Sequence, residues 1–310
     1  MKQEKKLHYV QNMYAGIHTI SGVSSQEIAH IDPLVVEAVK CNVRKVKNSD
    51  KKETYMRINP NKLANEDKSL IANYNEFKEY LDLTLDCCGL DPKEFKINRA
   101  DMSFNSNNPQ DYLLYRKLHR LLICCIADAY KFVNCYQTYD LWNYDSLNVA
   151  IKNDDYECEN YNKDKESQGK DVVKNRLEIR SKRIKNSDMK YEFLCIWSEK
   201  LDNAICHFES VQERYNKNLA QLYLEDLKKP KNERKYYNHT SFCMQFSDCI
   251  FTSRQMVDLL NRMGIDNPQT KAKTFKRNHK IEYFSKADLQ FIVNVIKKKT
   301  EEYFGESKGA

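Results

Sequence analysis

The chain has 310 residues with 51 Lys/Arg against 44 Asp/Glu, enough for one large buried core or two smaller ones, and a net charge of +7. Only seven glycines and six prolines, with 31% charged residues, argue against a barrel or sandwich of many tight turns, so a mixed α/β (α+β) fold rich in helix is expected. No run approaches the roughly 18 apolar residues that span a bilayer, and Met1 to Lys6 lead into Leu7 without a signal peptide's apolar stretch, so the expectation is a cytoplasmic protein with no membrane partner.

Tyr14 to Ile20 reads as extended, followed by a short helix near Pro33 to Val39 and a strand from Glu53 to Ile58. Leu70, Tyr74, Phe77, Leu81 and Leu85 recur every three to four residues, which predicts a helix from about Ser69 to Cys88 closed by Gly89. Asp91-Pro92 then turns the chain into a strand carrying Asp101, and the apolar run from Tyr112 to Val133 predicts a buried helix. Extended runs follow at Tyr139 to Trp142, Ser146 to Lys152 and Asp155 to Asn162. A polar turn from Ser167 to Asp171 precedes a further strand from Arg176 to Arg180. A long helical region is expected from about Tyr191 to Lys228. The eleven cysteines include no C-x-x-C pair and read as buried thiols in a reducing compartment, Cys195 and Cys206 among them.

Lys229-Pro230-Lys231 is the expected boundary between an α/β domain, residues 1–229, and a basic helical module, residues 230–310. Basic residues exceed acidic ones by five between residues 251 and 310 and by two between 226 and 250, leaving residues 1–225 neutral. Three helices are predicted there. The first starts at Ser253 with Met256, Leu259, Leu260 and Met263 in its stripe, the second starts at Asn267-Pro268, and the third runs from Ser285 to about Tyr303. Lys271, Lys273, Lys276 and Arg277 make the middle helix basic, the pattern of a helix-turn-helix module that grips DNA phosphates.

Three strands carry the candidate chemistry. Alternation puts Glu157, Glu159 and Tyr161 on one face of their strand, with Tyr156 on the other. It likewise groups Arg176 with Glu178 and Arg180, and Arg99 with Asp101 and Ser103. If the three faces coincide, the carboxylates can hold Mg²⁺ or Mn²⁺ through oxygen and the arginines can grip phosphate. Tyrosine suits DNA nicking by transesterification, because its phenol is both nucleophile and leaving group and the nicked ends can be resealed without ATP. The same spacing also describes ordinary cross-strand ion pairs on a solvated sheet. His18, in a strand-like segment, is a further candidate ligand, although a lone histidine there is more often simply hydrogen-bonded.

Arg99-x-Asp101, Tyr161-Asn162-Lys163-x-x-Glu166 and Arg176-x-Glu178, in this order, resemble the pattern of the Rep_trans group of rolling-circle plasmid replication initiators, which also includes relaxases of some integrative and conjugative elements. The resemblance spans roughly residues 98 to 180. It implies an α/β catalytic domain related to the HUH endonucleases, with an antiparallel sheet and packed helices, although the chain has no His-x-His pair. It further implies Tyr161 as nucleophile, Lys163 and Glu166 as supporting groups, and a divalent cation on Asp101 and Glu178; strand alternation adds Glu159 to the candidate metal ligands. Plasmid origin DNA, as a hairpin or a single-stranded nick site, is then the expected partner; a host helicase and a second copy of the chain are further candidates. A conjugative relaxase of the same chemistry, or a non-catalytic DNA-binding initiator or regulator, are the alternatives.

Overall fold

The computed structural model describes residues 1–28, 30–45, 52–64, 70–130, 148–169 and 172–305. The run expected as extended at Tyr139 to Trp142 lies outside them. Seven strands, β1 (Tyr14–Ser24), β2 (Val39–Lys45), β3 (Lys52–Ile58), β4 (Lys96–Ser106), β5 (Asn148–Lys152), β6 (Tyr156–Tyr161) and β7 (Asn175–Ser181), form one antiparallel sheet in the order β2-β3-β1-β4-β7-β6-β5. Twelve α-helical segments are described, besides single tight or wide turns: α1 (Gln3–Asn12), α2 (Asn61–Ala64), α3 (Tyr74–Asp86), α4 (Asp111–Ala129), α5 (Lys163–Glu166), α6 (Met189–Tyr191), α7 (Trp197–Ile205), α8 (Phe208–Leu227), α9 (His239–Gln245), α10 (Ser253–Arg262), α11 (Pro268–His279) and α12 (Lys286–Phe304). The expected α+β architecture is therefore present. None of the described helices is long and apolar enough to cross a membrane.

Alternation sorts the sheet into two chemically different faces. Ile17, Ile20, Ala100, Met102, Phe104, Cys158, Leu177 and Ile179 are all buried on one of them. Helix α4 packs against β5, β6 and β7, and is buried nearly all round through Leu118, Leu121, Leu122 and Ile126, as a central core helix must be. Helix α12 packs against β1, α3, α4 and α7, and its Thr300 hydroxyl lies 3.9 Å from Met102 Sδ. The opposite face carries the polar residues of β4, β6 and β7.

Several elements differ from the expectation. The helix around Pro33 is a single turn, Pro33–Val35, and Val39 already begins β2, a strand exposed along most of its length. The long helix over 191–228 is a composite: a wide turn at Glu192–Ile196 precedes α7, and the chain breaks again at Cys206-His207 before α8. Cys195 and Cys206 are exposed rather than buried, because apolar neighbours in sequence alternate between core and solvent round a helix, and Cys41 is exposed on the edge strand β2; Cys88, Cys124, Cys125, Cys158, Cys243 and Cys249 are buried as expected.

The C-terminal region is tied into the same core. Helices α10 and α11 pack on each other across the Met263–Asn267 turn, where Gly264 takes φ 72°, but α12 leaves them and lies on the sheet's apolar side. Tyr74 meets Phe304 at 4.8 Å and Tyr303 at 6.3 Å between ring centroids, and the Met1 ammonium reaches Asp288 at 2.8 Å. Residues 286–304 thus share a hydrophobic core with the sheet, across the boundary expected at 229/230.

Candidate active site

The strand order puts β4, β7 and β6 side by side, which brings the three polar faces together. Directly opposed residues point the same way, and the register gives three rows across the sheet: Thr19, Asp101, Arg180 and Glu157; then Ser103, Glu178 and Glu159; then Tyr14, Asn105, Arg176 and Tyr161. Tyr156 points to the helical side, where its ring meets Trp197 edge-on at 5.7 Å.

Arg180 is the hub of this face. Its guanidinium bonds Glu157 and Glu178, lies 3.1 Å from Glu159 Oε2, and brings Nε to 3.6 Å from Asp101 Oδ2. Arg99 donates through Nε and Nη2 to the two Asp101 oxygens at 2.8 Å each. Arg176, 2% exposed, donates Nε to Asn105 Oδ1 at 2.9 Å. Glu178, 1% exposed, accepts from Ser103 Oγ at 3.1 Å and from the Tyr161 hydroxyl at 3.2 Å.

His18 enters through a bulge. The register between β1 and β4 skips a residue between Ile17 and Thr19, so His18 has no partner in that ladder and turns its Nδ1 to 3.5 Å from Glu178 Oε1. The Asn61 side chain fixes the bulge by donating to the carbonyls of Ile17 and His18 at 3.0 and 3.1 Å.

These surroundings tune the groups differently. Burial pushes the Glu178 carboxyl up, but the charges of Arg180 and Arg176, with the hydrogen bond from Arg180, outweigh it and hold the group well below the usual carboxylate range. Burial, with Glu178 and Glu157 nearby, lifts Glu159 to about 7 despite Arg180. Asp101 is also raised, by burial first and by Glu178, against the pull of Arg99. Burial lowers His18 to about 3, helped by Arg176, so its ring is neutral. The Tyr161 phenol is raised by burial and then by Glu178, and is fully protonated near neutral pH.

Lys163 and Glu166, on the one-turn α5 after Tyr161, pair with each other, and the Lys163 ammonium sits 5.8 Å from the Tyr161 ring centroid. Glu166 therefore faces Lys163 from an exposed position. On α11, Ala272 and Phe275 are buried, whereas Lys271, Lys273, Lys276 and Arg277 are exposed.

As metal ligands, the expected carboxylates fit unequally. Among the described residues no three of His, Cys, Asp and Glu converge as a ligand set. The reason is visible in the contacts: Asp101 and Glu159 spend oxygens on Arg99 and Arg180, which supply the positive charge an ion would bring. His18 Nδ1 and Glu178 Oε1 lie 3.5 Å apart, the first also meeting the Thr19 hydroxyl at 2.9 Å and the second the Ser103 hydroxyl at 3.1 Å. A cation held by one or two protein ligands, with water and phosphate completing the shell, is ordinary for Mg²⁺.

Asn105 and Arg57 belong to this face but were not among the expected residues. Continuing the β4 alternation from Arg99 through Asp101 and Ser103 reaches Asn105 directly. Arg57, whose Nη2 is 4.0 Å from Asp101 Oδ2, needed the strand order. No protein-family model matches the sequence, and no curated protein matches it.

Proposed function

We propose that the chain is a plasmid replication initiator that binds a double-strand origin and nicks one strand by transesterification through Tyr161. The observation that carries this reading is the Tyr161 hydroxyl seated on the Glu178 carboxylate, with Arg176 and Arg180 beside it on one sheet face. Arginines in that setting recognise a phosphodiester, and the carboxylate is positioned to receive the phenolic proton.

In the reaction, the Tyr161 oxygen bonds to phosphorus, the bond to the 3′ oxygen breaks, and the phenolic proton passes to Glu178 Oε2. The departing 3′ oxygen takes a proton from solvent, and the strand's 5′ phosphate remains on the tyrosine. Arg180 holds Glu178 in a weakly basic state while it pairs with it. A phosphate that draws Arg180 towards itself weakens that pairing and makes Glu178 a better proton acceptor as the substrate arrives. Arg176 and Arg99 orient the phosphate, and Lys163 over the Tyr161 ring favours the phenolate. A Mg²⁺ or Mn²⁺ ion held by His18 and Glu178, with Asp101 and Glu159 nearby, would supply charge stabilisation at the phosphate. The exposed cations of α11, Lys271, Lys273, Lys276 and Arg277, are the proposed contacts to origin duplex, α10 and α11 acting as a helix-turn-helix pair.

A second reading has its own support. Tyr161 is 5% exposed, and every carboxylate around it is already paired, which suits a structural ion network in a non-catalytic DNA-binding protein. The test is incubation of the full chain with Mg²⁺ and a supercoiled plasmid carrying this gene and its flanking DNA. Nicking that leaves an extendable 3′ hydroxyl and a 5′ end blocked by protein supports the reading. Intact plasmid, or a free 5′ phosphate at the nick, rejects it. Autonomous replication of a plasmid carrying this gene alone separates an initiator from a conjugative relaxase.

A further inference from the structure

The β2–β3 pair at the sheet edge carries a positive surface that the chemistry at Tyr161 does not use. Strands β2 and β3 contain Lys40, Arg44, Lys45, Lys52 and Arg57 against the single acid Glu53. The register sorts them: Lys40 opposes Arg57, Asn42 opposes Tyr55 and Arg44 opposes Glu53 on one face, whereas Lys45 and Lys52 oppose each other on the other face. The first face is continuous with the candidate site. Arg57 opposes Ser21, Ser21 opposes Arg99, and Arg57 itself approaches Asp101 at 4.0 Å. The Arg44 guanidinium lies over the Tyr55 ring at 4.7 Å from its centroid, so the face holds an aromatic surface as well as cations.

We infer that this ribbon face is a binding arm for single-stranded DNA, and that Lys40, Arg44, Tyr55, Arg57 and Arg99 form a track leading the strand across the sheet towards Tyr161. The inference rests on the nicking reading for the point at which the strand arrives. Five strand spacings separate β2 from β6, about 24 Å, a span over which successive phosphates can meet the row of cations while bases stack on Tyr55 and Arg44. Charge on an edge strand is also a common defence against edge-to-edge pairing. That role does not account for Arg57 on the inner strand, for Tyr55 beneath Arg44, or for the alignment of both with Arg99.

Fluorescence anisotropy of a labelled oligothymidylate of roughly 25 nucleotides, titrated with the full chain at several salt concentrations, tests the inference. Lys40→Ala/Arg44→Ala should weaken binding roughly tenfold at low salt and lower the log–log salt slope by about 1.4, since each phosphate contact on a single strand contributes about 0.7. Tyr55→Leu should weaken binding by a similar factor with the slope unchanged, because it removes stacking rather than charge. Lys45→Ala/Lys52→Ala, on the other face, should leave both quantities near wild type. Equal losses from the two faces, wild-type binding by the Lys40/Arg44 variant, no binding by wild type, or tighter binding of RNA of matching sequence would each overturn the inference. Adduct formation on plasmid DNA is scored separately. If adducts form but the ribbon variants bind the oligonucleotide normally, the track fails and the nicking reading stands; if the ribbon behaves as expected but no adduct forms, the reverse holds.

Discussion

Replacing Arg180 with methionine removes the cation shared by Glu157, Glu159, Glu178 and Asp101 while keeping most of the side chain's apolar volume. Arg99 still holds Asp101 through two hydrogen bonds, so the loss falls on the three glutamates. Glu178 is 1% exposed, and breaking a buried ion pair from one side costs about 3–5 kcal/mol. That is a large share of the roughly 5–15 kcal/mol that stabilises a domain. The sign of the pH dependence follows from Glu178. Its pKa in the fold lies below the ordinary value, so its contribution to stability is present above about pH 4.5 and is lost as pH falls through the folded value. In wild type Glu178 stays ionised down to that folded value, whereas without Arg180 the buried carboxyl takes up a proton at a higher pH, so Arg180→Met should lose about 4 kcal/mol at pH 8 and clearly less near pH 4, where protonation of the variant relieves the unpaired charge. Urea denaturation of wild type and variant at both pH values measures the difference. An equal loss at pH 4 and pH 8 would refute the electrostatic account and assign the effect to packing.

Three further outcomes follow from other parts of the molecule. Burial lowers His119 to about 3, and its Nε2 lies 3.0 Å from the Tyr9 hydroxyl; stability should fall as pH drops from about 6.5 towards 3, by up to about 1.4 kcal/mol per pH unit, and His119→Gln should flatten that slope in urea titrations. A chain ending at Lys229 loses α12 and uncovers the apolar side of β1 and β4, so it should show no cooperative thermal transition by circular dichroism, whereas a separable module would leave the remainder folded. Glu178→Gln should reduce nicking of the plasmid by at least a hundredfold, as loss of a general base does, with DNA binding retained in gel shifts; EDTA should stop wild-type nicking with the same retention.

The parts of the site readable in the sequence are those governed by two-residue alternation. Arg99, Asp101 and Ser103 stand against Ala100, Met102 and Phe104, and Glu157, Glu159 and Tyr161 stand against Tyr156 and Cys158, although burial does not alternate with them, since Asp101, Ser103 and Tyr161 are themselves buried. Alternation gives a side and not a neighbour. That Arg180 sits among four carboxylates follows from β7 lying between β4 and β6, which no local pattern encodes. Strand β2 escaped because it is exposed beyond Val39 and is held by its ladder to β3, so its polar sequence shows no apolar face. Helix α1 was missed for a related reason, burying only Tyr9. Helix α12 was legible as a helix from its Ser285 capping box and its Leu289, Ile292, Val293 and Ile296 stripe. Its partner was not, since a stripe that fits a small bundle fits a sheet equally well.

Covalent attachment of DNA to Tyr161 is the most direct measurement of the central claim. The full chain is incubated with Mg²⁺ and supercoiled plasmid carrying this gene, the complex is digested with nuclease and protease, and the peptides are sequenced by mass spectrometry. The account predicts a nucleotide linked through its 5′ phosphate to Tyr161 in wild type and no adduct in Tyr161→Phe, which keeps the ring and loses only the hydroxyl on Glu178. An adduct on Tyr156 or any other residue, or an undiminished yield from Tyr161→Phe, would contradict it.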